Sequence, residues 1–183
     1  MGRYLKVPPT AIPVSVAQAK KSLRIEADST DMDDLVELWV RGITTKLEHE
    51  IGQVVMEQTW VVTADWLFPG IDLPHPVIAV TGITYLDQEG VRQTLDPQLY
   101  TLTSTEFSST LSAADGSCWP DGRGVEIIVS CGFGAEQAAV PANVQLYVLA
   151  KLAEQYDPVT KTERGSVQSE FIDGLLDACK TYR

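Results

Sequence analysis

Between Lys46 and Lys151 the chain has no lysine, and the only arginines in that span are Arg92 and Arg123. A protein that grips nucleic acid does so largely by neutralising phosphates with Lys and Arg. With a formal net charge of −11, this one is not built for that. Cysteine is equally sparse. Cys118, Cys131 and Cys179 are odd in number and far apart, which excludes a disulfide scaffold and the paired spacing of a redox or zinc motif. Only His49 and His75 are present, so a His/Cys metal centre is not expected. No apolar run approaches the roughly 20 residues that span a bilayer, and MGRYLKVPPTAIPVS lacks the apolar core of a signal peptide. Lys6 stands where a myristoylation signal after Met1-Gly2 wants Ser or Thr. The expectation is a protein that stays in the cytoplasm where it is made, with no membrane partner.

What the chain does have is 183 residues, 44% hydrophobic and 21% charged, enough for one globular domain with a core. Its charge is unevenly spread. Residues 1–25 carry Arg3, Lys6, Lys20, Lys21 and Arg24 with no acid. Glu26, Asp28, Asp31, Asp33, Asp34 and Glu37 follow, six acids within twelve residues and no base among them.

The strongest periodicity lies in STDMDDLVELWVRGITTKLEHEIG, residues 29–52. Met32, Leu35, Val36, Trp39, Ile43, Leu47 and Ile51 recur at steps of three and four and predict one long amphipathic helix. Thr30 or Asp31 is expected to cap its start, Asp33 and Asp34 to sit against the helix dipole, and Gly52 to stop it. Before it, Pro8, Pro9 and Pro13 mark residues 1–13 as an extended arm rather than packed structure. Ser15 and Gln18 have the spacing of a capping box, which opens a short helix from Val16 to about Arg24 with Val16, Ala19 and Leu23 on its apolar side.

After Gly52 the period turns to alternation. Strands are expected at Thr59–Thr63, Val77–Leu86, Val91–Leu95, Tyr100–Thr103, Ser108–Leu111 and Val125–Cys131. Asp87 to Gly90 is a hairpin turn, and residues 112–124 are a loop. Together 54–132 reads as an antiparallel meander. Helix resumes after Pro141, with Val144, Tyr147, Val148 and Leu152 on one face. A charged loop, 157–165, leads to a last helix capped by Ser169, with Phe171, Ile172, Leu175, Leu176 and Cys179 facing one way. The predicted fold class is therefore α+β: two N-terminal and two C-terminal helices packed together, with an antiparallel β insertion between them, in one domain (arm 1–13, helical 14–53, β 54–132, helical 141–183).

Nothing in the sequence has the spacing of a catalytic or cofactor site. Gly132-Phe133-Gly134 lacks the third glycine of a dinucleotide loop and is better read as a turn. Asp31, Asp33 and Asp34 lack calcium-loop spacing. No cofactor and no metal are expected. The four tryptophans suit core or interface positions.

The order of these elements resembles one known family. PVSVAQAKKSLRI, then DMDDLVELWVRGITTKLEHEIGQ, then QTWVVTAD, Pro74-His75-Pro76-Val77, VTGITYLDQEGVRQTLDPQLY and GSCWP, and finally VPANVQLYVLAKLAEQYD, are together similar to tailed-phage head–tail connector (adaptor, or head-completion) proteins, in their longer branch with a β insertion. The resemblance covers about residues 12–183 and departs from the family at Asp157-Pro158. It implies a structural virion protein of phage or prophage origin, not an enzyme, made in the host cytoplasm and incorporated at the head–tail interface during virion assembly and DNA packaging. The implied assembly is a ring of about twelve copies joined head to tail. Its implied partners are the portal above and a stopper or tail-completion protein below, with DNA passing through unbound. Within such a ring, Glu26, Asp28, Asp31, Asp33, Asp34 and Glu37 are candidates to line the channel. Phe171, Ile172, Leu175, Leu176, Lys180, Tyr182 and Arg183 are candidates to dock on the portal. Two other classes fit the composition: a small acidic enzyme with an unrecognised carboxylate site near Asp33, and a regulatory module that binds a basic partner.

Overall fold

A computed structural model describes residues 1–156 and 174–180. The chain divides into two compact units, Met1–Pro9 with Glu57–Phe133, and Thr10–Met56 with Gly134–Arg183.

The first unit is all β. Strand β1 (Gly2–Val7) pairs with β2 (Gln58–Ala64), which pairs with β8 (Arg123–Cys131). On its other side β8 pairs with β4 (Val77–Leu86), and β4 with β5 (Arg92–Thr94). This makes a five-stranded antiparallel sheet in the order β1-β2-β8-β4-β5. A second sheet, β3-β7-β6, is formed by Ile71–Leu73, Ser109–Ala113 and Tyr100–Ser104. The core follows from alternation. Val125, Ile127, Val129 and Cys131 on β8, Val62 on β2 and Ile83 on β4 are buried, as are Ile71, Leu73 and Leu111 of the smaller sheet. Burial pushes the Cys131 thiol up to about 12, so it is an inert core group. Gly122 has no room for a side chain: a Cβ there would lie 2.3 Å from the Tyr85 ring and 2.9 Å from the Leu86 carbonyl.

The second unit holds the helices. Helix α1 (Val16–Ser22) starts with the expected capping box. Ser15 Oγ accepts from the Gln18 amide at 3.2 Å, and Gln18 Oε1 accepts from the Ser15 amide at 3.1 Å. It stops short of Arg24 because the chain reverses there. Arg24 takes a left-handed φ of 58°, with Ile25 N–H donating to the Lys20 carbonyl and Arg24 N–H to that of Lys21. That pattern of bonds normally places glycine where Arg24 stands. A 3₁₀ turn over Thr30–Met32 leads into helix α2 (Asp33–Ile51). The turn displaces the start, so Met32 occupies the cap position with no side-chain bond, and neither Thr30 nor Asp31 caps the α-helix. Gly52 ends α2 in a left-handed conformation with φ 71°. Helix α3 (Ala142–Tyr156) buries Val144, Tyr147, Val148 and Leu152. The three helices pack on one another, and the Tyr147 hydroxyl donates to Glu50 at 3.1 Å.

This corrects the predicted fold class. Among the described residues there are three α-helices, only one of them C-terminal, and eight strands in two antiparallel sheets. Three causes account for the difference. The arm is not free: residues 2–7 form an edge strand. The β region is not a meander: β8 inserts between β2 and β4 and pairs antiparallel with both. Finally, of the expected last helix only Gly174 is helical among the described residues, and the chain after it turns. It holds a 3₁₀ turn over Asp177–Cys179, and Asn143 Nδ2 donates to the Leu175 carbonyl at 2.8 Å and to Cys179 Sγ at 3.3 Å. The expected cap at Ser169 and the loop 157–165 lie outside the described residues.

Candidate interaction surfaces

The acidic cluster occupies the α1–α2 connection and the first turns of α2, and its members differ. Glu26, Asp28, Asp31 and Asp34 are exposed. Asp33 is committed to Lys20, whose Nζ lies 2.8 Å from Asp33 Oδ1, 3.0 Å from the Ala27 carbonyl and 2.7 Å from that of Ser29. Glu37 pairs with Arg41 one turn on, through Nη2 at 2.7 Å and Nε at 2.9 Å. Four of the six acids therefore present an open negative surface, and two are tied to cations. Lys20 itself is only 4% exposed. Its position could be read in the sequence: it lies in the same stripe as Val16, Ala19 and Leu23, just ahead of six acids, and a lysine there must bring a partner inside with it.

The apolar face of α2 is turned relative to the predicted stripe. Val36, Val40, Thr44, Leu47 and Ile51 are buried, whereas Leu35 is exposed and Ile43 half-buried. Thr44 fits the core because its hydroxyl donates to the Val40 carbonyl at 2.7 Å. A second stripe is thereby left facing outward: Leu35, Leu38 (65% exposed), Trp39, Gly42 and Ile43. Trp39 meets the Tyr156 ring edge-on at 6.2 Å, and nothing stands within 4 Å of where a Cβ on Gly42 would be.

Of the predicted docking residues, Leu176 is buried, Leu175 is half-buried, and Lys180 lies 3.0 Å from Asp177. Phe171, Ile172, Tyr182 and Arg183 lie outside the described residues.

One pairing was invisible in sequence because its members are 34 residues apart. His75 Nδ1 is 2.8 Å from Ser109 Oγ, and His75 Nε2 is 3.0 Å from the Glu106 carbonyl. A carbonyl only accepts, so Nε2 carries a proton, and in the neutral ring Nδ1 accepts from the serine hydroxyl. Serine aimed at histidine is the beginning of a nucleophile–base pair. Ser109 is 1% exposed and His75 5%, however, so no substrate reaches them; the pair fastens the turn before β4 to β7. Elsewhere, Asp87 is held below the usual carboxylate range by the Gln93 side chain and the amides of its own turn, and burial raises Tyr100. Both groups are accounted for by their local structure. No three His, Cys, Asp or Glu side chains converge as a metal site among the described residues, and no helix there is long and apolar enough to cross a membrane.

No protein-family model and no curated protein matches the sequence. Solved structures do match the fold. The chain superposes on one from the neck of an empty gene transfer agent particle, computed with C6 symmetry, with a TM-score of 0.80 and 22% identity over 100% of this chain and 97% of that one. A chain in the virion of the native gene transfer agent particle gives 0.80 and 21%, with the same coverage. A chain from the neck of the native particle, computed with C12 symmetry, gives 0.68 and 21% over 98% of this chain and 97% of that one. The protein therefore shares its fold with a chain found in a particle neck.

Proposed function

We propose that the protein is a structural, non-catalytic subunit of the neck of a tailed-phage or phage-like particle. Copies of it form a ring that adjoins the portal, extends the DNA channel and receives the stopper or tail. The observation that carries this reading is the shared fold with the neck chain over essentially all of both chains. Necks computed with C6 and C12 symmetry support a ring of about twelve copies, joined by one head-to-tail contact repeated around an axis. The outward stripe of α2 suits that contact, since a leucine 65% exposed beside an open glycine gains by being covered.

Each copy carries −11, so free copies repel unless salt or a template intervenes. Native mass spectrometry across increasing ammonium acetate should show monomer at low ionic strength and ring-sized species as the repulsion is screened. A tight dimer indifferent to salt would contradict the ring.

The segment from residue 169 to 183 is the proposed portal contact. Removing only residues 181–183, which leaves the buried Leu176 and Cys179 in place, should give a folded protein, by circular dichroism, that fails to enter particles. Normal incorporation of the shortened protein would place the contact elsewhere.

A further inference from the structure

We propose that β1 is exchanged between neighbouring copies: in the assembled ring, residues 2–7 leave their own β2 and complete the sheet of the next subunit. This rests on the ring reading above. In the single chain all six residues of β1 are exposed, Tyr4 to 54%, and none of them is buried. It is held by its ladder to β2, with Gly2 opposite Thr63, Arg3 opposite Val62, Tyr4 opposite Val61, Leu5 opposite Trp60 and Val7 opposite Thr59. A ladder open to water gains little, because each of its bonds replaces one to solvent, while ordering the arm costs backbone entropy. The same ladder made to another copy has the same energy, so small differences decide between the two.

Three differences favour the neighbour. The first is charge. Residues 1–7 carry Arg3 and Lys6 and no acid, so the remaining residues 8–183 carry −11 − 2 = −13. A basic arm laid on the adjacent copy converts attraction within a chain into attraction between chains that otherwise repel. The second is apolar area. Tyr4, Leu5 and Val7 are exposed in the single chain, and at a seam between subunits they can be covered. The third is reach. Residues 8–13 are coil and bends, bound to neither a strand nor a helix, and six residues drawn out span at most about 20 Å. Exchange also needs no new complementary surface, since the receiving edge already fits the strand.

The register supplies the test. A Cβ on Gly2 would lie 3.0 Å from Thr63 Oγ1, so cysteines at both positions fall within disulfide reach. Gly2→Cys and Thr63→Cys are combined with Cys118→Ser, which removes the exposed native thiol. Rings of this variant are oxidised and then denatured without reductant. Exchange predicts a ladder of covalently joined chains containing more than half of the subunits. Intact rings that yield only internally linked monomers overturn exchange and leave the ring reading standing. If neither this variant nor the unmodified protein forms rings, both proposals fall. Val7→Cys with Thr59→Cys tests the other end of the same ladder, and if neither pair links chains in rings the exchange is refuted.

Discussion

Replacing Lys20 with methionine is expected to lower the free energy of unfolding by about 3 kcal/mol, among the largest losses any single substitution of a polar residue here should produce. The lysine's three ammonium protons meet three acceptors at 2.7–3.0 Å: the Ser29 and Ala27 carbonyls and the Asp33 carboxylate. Removing one partner of a buried pair typically costs about 3–5 kcal/mol, because the other groups lose both protein and water. The lower end applies here, since the Asp33 side chain is 38% exposed and regains solvent. Methionine keeps most of the aliphatic stem, so packing loss is small and the effect isolates the ammonium. Urea unfolding followed by circular dichroism measures it, with an unchanged slope showing that the same surface unfolds. Asp33→Asn should cost less, about 1 kcal/mol, because an amide oxygen still accepts from Lys20. A loss below about 0.5 kcal/mol for Lys20→Met would mean that the loop carbonyls find water without difficulty, and that the clamp does not hold the connection. That connection carries Glu26, Asp28 and Asp31, so the same lysine sets the geometry of the acidic surface.

How much of this was legible in the sequence varied with the range of the interaction. The Ser15–Gln18 box, the stop at Gly52, the hairpin with Gly90 at φ 80° and the strand Val77–Leu86 all rest on neighbours within a few residues, and sequence spacing captured them. The phase of α2 was harder. Leu35 and Ile43 satisfy the helical period as well as Val40 and Thr44 do, and which set turns inward depends on α1 and α3. A polar threonine that bonds its own backbone is not counted by a hydrophobic pattern. Strand β1 is not apparent in the sequence because Pro8, Pro9 and Pro13, which follow it, suggest an arm, and its partner lies more than fifty residues away. The same distance hid the position of β8 between β2 and β4, which makes two sheets rather than a meander. For the surfaces, composition located the acidic cluster but could not divide it. Only the fold distinguishes the four open acids from Asp33 and Glu37, which are held by Lys20 and Arg41.

On the proposed ring reading, converting Asp28, Asp31 and Asp34 to lysine is expected to turn rings that do not bind DNA into rings that do. Asp33 is left in place, because changing it would unseat Lys20 and confound charge with stability. The three substitutions alter each copy by six charges, from −11 to −11 + 6 = −5. Around a ring they would create a continuous basic band from an acidic one. Each phosphate that a new lysine neutralises steepens the salt dependence of binding by about 0.9 in the log–log slope. Contact with the lysines of even one subunit would therefore give a slope near −3, and engagement of several subunits a steeper one. The motive is that four exposed acids in nine residues exceed what helix starts require, since only the first turn feels the dipole appreciably. On the ring reading proposed above, a channel lined with them would keep phosphates at a distance, so that DNA would neither stick nor stall. Fluorescence anisotropy on duplex DNA, at about 50 mM salt and above, reads the affinity, and the rate of genome release from assembled particles reads the location. Slowed release together with salt-sensitive binding assigns the cluster to the lumen. Binding with normal release assigns it to an outer face, and rings that still ignore DNA at low salt would show that phosphates never approach this surface.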